Sequence, residues 1–196
     1  ENTTDKTVTW SSSNTSVATV DNTGKVIAVA AGSATITATC GSVSATCEVT
    51  VVVPAESVSL NKTTLELLVG ASETLVATVK PEDTTDPTVT WTSSNEAVAT
   101  VDNEGKVTGV GVGEATITAT CGEVSATCAV TINPVLPESV TLNKTSLELK
   151  VGDSETLVAT VLPDNTTDPK VIWASDDTDI ATVDQNGCVT GVGVGT

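Results

Sequence analysis

A tryptophan recurs at positions 10, 91 and 173, spacings of 81 and 82 residues, and the text around it recurs with it. VTWSSSNTSVATVDNTGKV begins at Val8, VTWTSSNEAVATVDNEGKV at Val89 and VIWASDDTDIATVDQNGCV at Val171. SVSLNKTTLELLVGASETLVATVKPEDTTDP from Ser57 returns at Ser139 as SVTLNKTSLELKVGDSETLVATVLPDNTTDP. ATITATCGSVSATCEVTV from Ala34 returns at Ala115 as ATITATCGEVSATCAVTI. A chain that repeats itself at this period has to build one unit several times over, each around its own core. The one-residue slip falls between units, where VVVPAESV becomes INPVLPESV. One complete unit spans 54–133, residues 1–53 match only its later part, and residues 134–196 only its earlier part. Neither partial copy closes a core alone, so the sequence is expected to be a window from a longer array.

Within a unit the pattern is short strands of period two, broken by turn residues. In TLVATV, Leu75, Ala77 and Val79 are expected on one face and Thr74, Val76 and Thr78 on the other. VTW, VATVD, KVTGVGVG, ATITATC and VSATCAVTI follow in order, with turns expected at Pro81-Glu82-Asp83 and Asn103-Glu104-Gly105. No stretch carries the period of a long helix. About seven short strands with a Trp near the third read as an all-β, immunoglobulin-like β-sandwich, repeated in tandem.

Composition narrows the chemistry. The 25 acidic residues outweigh 8 basic ones, all lysine, for a formal charge of -17. There is no His, so imidazole catalysis and the ordinary zinc and haem sites are excluded. There is no Arg to hold phosphate or carboxylate in a guanidinium fork. A surface this acidic repels nucleic acid and anionic membranes. Few aromatics and high charge raise the question of disorder. A mean hydropathy of +0.17 and a heavy use of Val and Thr answer it in favour of strands.

The motifs WSSSNTSVATVDNTGKV, SVSLNKTTLELLVG, KVTGVGVG and TITAT, at fixed offsets, resemble the bacterial immunoglobulin-like group 2 (BIG2) family over nearly the whole chain. The antibody-type Tyr corner and widely spaced Cys pair are absent, and the bacterial family needs neither. The resemblance implies a non-catalytic stalk or adhesive array of a bacterial cell-surface or secreted protein. Neighbouring repeats would be its first partners, with a protein or glycan ligand on a host or neighbouring cell as a further one. It also implies two alternatives: a structural part of a phage virion, or a spacer in a large secreted carbohydrate-active enzyme. No membrane-inserting segment is visible in this stretch.

Several residues invite a chemical reading. Cys40 and Cys47 recur as Cys121 and Cys128. If Cys121 faces Cys128 across a hairpin, Ala119 faces Val130 and Ile117 faces Ile132, with all six side chains inward. Such a pair is either a disulfide or two buried thiols. Cys188 replaces Lys25 and Lys106 and is expected to be a solvent-facing free thiol, incidental or cross-linking.

Carboxylates crowd the turns: Glu82, Asp83 and Asp86, then Asp102 and Glu104, Asp164 and Asp168, and Asp176, Asp177 and Asp179. Calcium at a junction would call on Glu56 and Glu138, but no loop has the twelve-residue calcium pattern. A solvated acidic surface is the expectation, with no cofactor and no catalytic site. Trp10, Trp91 and Trp173 are expected as core residues rather than sugar platforms. The glycines of VTGVGVG are expected to serve close packing or bulges. Sequons at Asn2, Asn14, Asn61, Asn143 and Asn165 matter only in a host that glycosylates asparagine.

Overall fold

The computed structural model describes residues 7–196, and every regular element among them is a strand. The first segment carries β1 (Thr9–Ser12), β2 (Ala18–Val20), β3 (Val26–Ala28), β4 (Gly32–Cys40) and β5 (Val43–Val51). The complete repeat carries β6 (Ser57–Leu60), β7 (Thr64–Leu68), β8 (Ser72–Thr74), β9 (Ala77–Lys80), β10 (Thr90–Ser93), β11 (Ala99–Val101), β12 (Lys106–Gly109), β13 (Gly113–Cys121) and β14 (Val124–Asn133). The last segment carries β15 (Ser139–Leu142), β16 (Ser154–Thr156), β17 (Ala159–Leu162), β18 (Ala181–Val183) and β19 (Cys188–Gly191).

In the complete repeat one layer is the four-stranded sheet β10-β13-β14-β7, in which β7 runs parallel to β14. The other layer comprises β11-β12-β8 and the ribbon β6-β9. Period-two alternation sends Ala115, Ile117, Ala119 and Cys121 of β13 inward, and Cys128, Val130 and Ile132 of β14 with them. Leu65, Leu75, Ala99 and Val107 complete the core from the other strands. Leu75, Ile117, Ile132, Val107 and Val130 are each less than 2% exposed, and full burial of such a side chain contributes about 1.5–3 kcal/mol. With no Phe, Tyr or Met to draw on, the core is β-branched and aliphatic, which suits a thin sandwich.

The TLVATV segment is not one strand. It alternates as expected, but pairing changes partner at Leu75-Val76: β8 pairs β12, while β9 pairs β6. Asn61 bridges the break, donating its N–H to Val76 O (3.0 Å) and accepting the Val76 N–H on Oδ1 (2.8 Å). Asn143 does the same for Val158. The break lets one stretch of chain serve both ribbons of a layer.

Each tryptophan lies across a turn glycine. A Cβ added to Gly105 would sit 2.5 Å from Leu75 O and 2.8 Å from the Trp91 ring, and Gly105 has φ +81. Gly24 beneath Trp10 and Gly187 beneath Trp173 repeat the contact. Only glycine satisfies both demands, a left-handed backbone and no side-chain volume. Gly109 and Gly111 also serve close approach, with a Cβ meeting Leu68 O at 2.8 Å and Ala97 O at 2.7 Å.

Gly105→Ala is therefore expected to destabilise the complete repeat by about 3 kcal/mol or more, strain and clash together. Gly122→Ala, at φ +56 with nothing near the new methyl, should cost only about 1–2 kcal/mol. Urea unfolding of the two variants of the full chain checks the difference. Equal costs would mean that the Trp91 contact carries no constraint.

Candidate functional site

The recurring cysteine pairs are the first candidate, and the hairpin register decides them. β13 and β14 are joined by a two-residue turn, Gly122-Glu123, with Gly122 at φ +56, as a type II′ turn requires. That turn sets Cys121 opposite Val124 and Cys128 opposite Ile117. The two thiols thus lie four pairs apart, about 13 Å along the ladder, beyond the roughly 7 Å Cα limit of a disulfide. The first segment repeats this, with Cys40 opposite Val43 and Cys47 opposite Ile36.

The expected pairing of Cys121 with Cys128, and its consequences for Ala119 and Ile117, are thus corrected. Ala119 faces Ala126, and Val130 faces Ala115. The register differs from expectation by an even number of residues, so the inward face is unchanged. All five cysteines are thiols in this structure.

Cys121 and Cys128 sit in the surroundings of apolar core residues. Cys121 is 1% exposed, and its Sγ donates to Asp86 O (3.3 Å). Cys128 is fully buried, and burial pushes its thiol above the ordinary cysteine range, only partly opposed by the Lys62 charge. Cys47 is exposed, while Cys188 is half-buried beside Thr156 in the β16–β19 ladder rather than projecting freely.

Several of the acidic turns are explained by backbone bonding. Asp102 Oδ1 accepts the N–H groups of Glu104 (3.0 Å) and Lys106 (2.9 Å). Asp21 holds Thr23 and Lys25, and Asp184 holds Asn186 and Cys188, in the same way. These bonds favour the charged carboxylate, so Asp21 (led by its Thr23 bonds) and Asp184 (led by Cys188 N–H) ionise below the usual range. Asp86 is held down by Thr88 and Glu82 by Lys80. Each of these shifts runs away from the raised pKa that a carboxylic acid needs to donate a proton near neutrality.

Trp91 is half-buried at the edge of the core and pairs Ala119 across the ladder; Trp173 is likewise half-buried. Trp10 is 36% exposed, which corrects the core position expected of it; its ring still rests on Gly24. Of the sequons, Asn61, Asn143 and Asn14 use their amide oxygens on backbone N–H groups, and Asn2 lies outside the described residues.

Sequence reasoning located the two junctions but missed the threonine contacts that hold them. At the first, Thr85 N–H (2.8 Å) and Thr84 Oγ1–H (3.0 Å) both donate to Val53 O, and Val53 N–H donates to Thr85 Oγ1 (2.8 Å). At the second, Thr167 N–H (2.8 Å), Thr166 Oγ1–H (2.9 Å) and Thr167 Oγ1–H (3.1 Å) donate to Val135 O. Beside the first runs a groove of about 480 Å³, lined by Val52, Pro54, Thr85, Asp86 and Glu123 among others. Glu56 and Glu138 are exposed there and use their N–H groups on Lys80 O and Leu162 O. Among the described residues no group of three or more His, Cys, Asp or Glu is placed to share a metal ion. The signal for the clasp was present: each TT pair follows its valine at a constant distance, although the tryptophan spacing slips by one.

The model of the bacterial Ig-like domain (group 2) matches residues 1–51, 54–132 and 138–196. Ice-binding protein 1 of Shewanella frigidimarina is 33% identical over 197 residues, 95% of this chain and 22% of that protein. An alpha-L-arabinofuranosidase of Bifidobacterium longum is 43% identical over 98 residues, 47% of this chain and 9% of that enzyme. The Ig-like virion protein of Serratia phage KSP90 is 33% identical over 161 residues, 74% of this chain and 58% of that protein. The chain spans 22% or less of the length of three curated relatives, the ice-binding protein among them.

Two outcomes follow for this site. Denatured without reductant, the chain should titrate five thiols, with Cys121 and Cys128 reacting slowly in the native state; a count of three or one would reveal bridges. Millimolar calcium should leave the melting temperature unchanged, and a rise of several degrees would show a cation site at the acidic loops.

Proposed function

The chain belongs to the bacterial Ig-like domain (group 2) family, and from that premise we propose that it is a non-catalytic structural array, a stalk or fibre segment of a bacterial cell-surface or secreted protein. The observation that carries this reading is the company the repeat keeps. Stretches similar to it occur in an ice-binding protein, an arabinofuranosidase and a phage virion protein. The names of these proteins share no substrate or ligand, which supports spacing and projection rather than chemistry as the role of the shared part. The side chains agree with it. Asp21, Asp102 and Asp184 are committed to turn backbone, the half-buried tryptophans cover glycines, and the Cys121 and Cys128 thiols fill core space. Units laid end to end with short connections give a quasi-one-dimensional body. Partners other than the neighbouring repeats would meet it through loops or a sheet edge, as a protein or glycan on another cell.

A second reading is favoured by the virion relative, since this chain covers more than half of that protein. In it the repeats decorate a phage particle. Immunogold electron microscopy with an antibody against residues 54–133 separates the two. Gold along the envelope, or on fibres leaving it, is expected. Gold confined to phage-sized particles would replace the stalk reading with the virion one, and gold confined to the cytoplasm would defeat both.

A further inference from the structure

We infer that the Thr-Thr pair of each TTDP loop is an angle-setting clasp, which makes the linker part of the downstream repeat and leaves one residue as the hinge. The inference deepens the stalk reading and rests on it only for what the stiffness serves.

The argument begins with where each strand stops. β5 ends at Val51 and the clasped residue is Val53, so Val52 alone lies between them. β14 ends at Asn133 and the clasped residue is Val135, so Pro134 alone lies between them. The second linker is one residue longer in sequence, yet its hinge is no longer. The extra length is taken into the strand, because Asn133 pairs Leu68 and its carbonyl accepts the Val69 N–H (3.1 Å).

Beyond the clasped valine the chain is held again at a fixed offset. Glu56 N–H donates to Lys80 O and Glu138 N–H to Leu162 O, both at 2.7 Å. Residues 53–56 and 135–138 are therefore fastened at both ends to the repeat that follows them. Proline removes more freedom: Pro134 has its φ set by the ring, and Val53 is confined to extended backbone by Pro54. The Thr84 end of the clasp is withdrawn from water, while Thr85 is exposed. Thr84 is 9% exposed, the one buried polar residue among the described residues, and Val135 is 8% exposed. A hydroxyl placed there serves the Val53 carbonyl rather than solvent, and the same hydroxyl recurs at Thr166. A carbonyl receiving two donors from one loop fixes the direction in which the strand before it enters.

Backbone residual dipolar couplings on the full chain in a weakly aligned medium test this. In the native chain residues 7–51 and 57–133 should report one common alignment. In Thr84→Val/Thr85→Val, which keeps shape and removes both hydroxyls, couplings of residues 7–51 should fall at least two-fold relative to 57–133. A common alignment retained by the double variant would overturn the clasp, and so would a native chain already showing two-fold disparity. If chemical shifts show the double variant misfolded, Thr85→Val alone, which keeps the buried Thr84 hydroxyl, carries the same expectation and the same refutation. Localisation away from envelope and particles would defeat the stalk reading while leaving these couplings as they are, so the two failures are distinguishable.

Discussion

The register of the β13–β14 hairpin is the constraint on which the complete repeat depends. Nine pairs, from Gly113 opposite Ile132 to Cys121 opposite Val124, fix which side chains face inward and where the flanking strands attach. β10 docks on β13 with Trp91 against Ala119, and β7 docks parallel on β14 with Leu65 against Val130. An odd shift would turn the inward set of one strand to solvent, either Ile117 on β13 or Val130 and Ile132 on β14, and lose its burial. The two-residue Gly122-Glu123 turn is what forbids any shift.

On that frame the repeat meets two needs with few residue types. Without large aromatics apart from one Trp, it closes the core edge by laying the indole on a glycine, a contact found at all three copies. Its heavy negative charge is distributed over turns where carboxylates accept backbone N–H groups, as at Asp21, Asp102 and Asp184. These acids have work in the fold itself, which accounts for their recurrence without a cation or a substrate. The three exposed ion pairs among the described residues, Lys62–Glu73, Lys144–Glu155 and Lys80–Glu82, add little by comparison.

Linear function follows from the same economy. On the proposed stalk reading, the use of such a unit is its dimension and its direction. Dimension belongs to the sandwich. Direction belongs to the junction, where Val53 and Val135 are gripped by the loop of the next repeat and the proline-containing linker has little freedom left.

The sequence by itself determined the repeat, most of its strands, its inward faces and its family likeness, because these depend on period-two patterning and on turn glycines that act locally; the complete repeat has nine strands rather than about seven. The turn glycine Gly105 was legible for the same reason, but its contact beneath Trp91 was not, because that contact joins residues fourteen apart. Tertiary structure decided what local pattern leaves open. Faces survive an even register shift, so alternation alone placed Cys121 and Cys128 inward correctly but opposite each other wrongly; the geometry of a two-residue turn settled the pairing. TLVATV reads as one strand, yet it is divided because Asn61, fourteen residues before Leu75, takes the place of a strand partner at Val76. The clasp joins Thr84 and Thr85 to a valine more than thirty residues earlier, and no periodicity links hydrogen-bonding groups across that distance until the sheets bring them together.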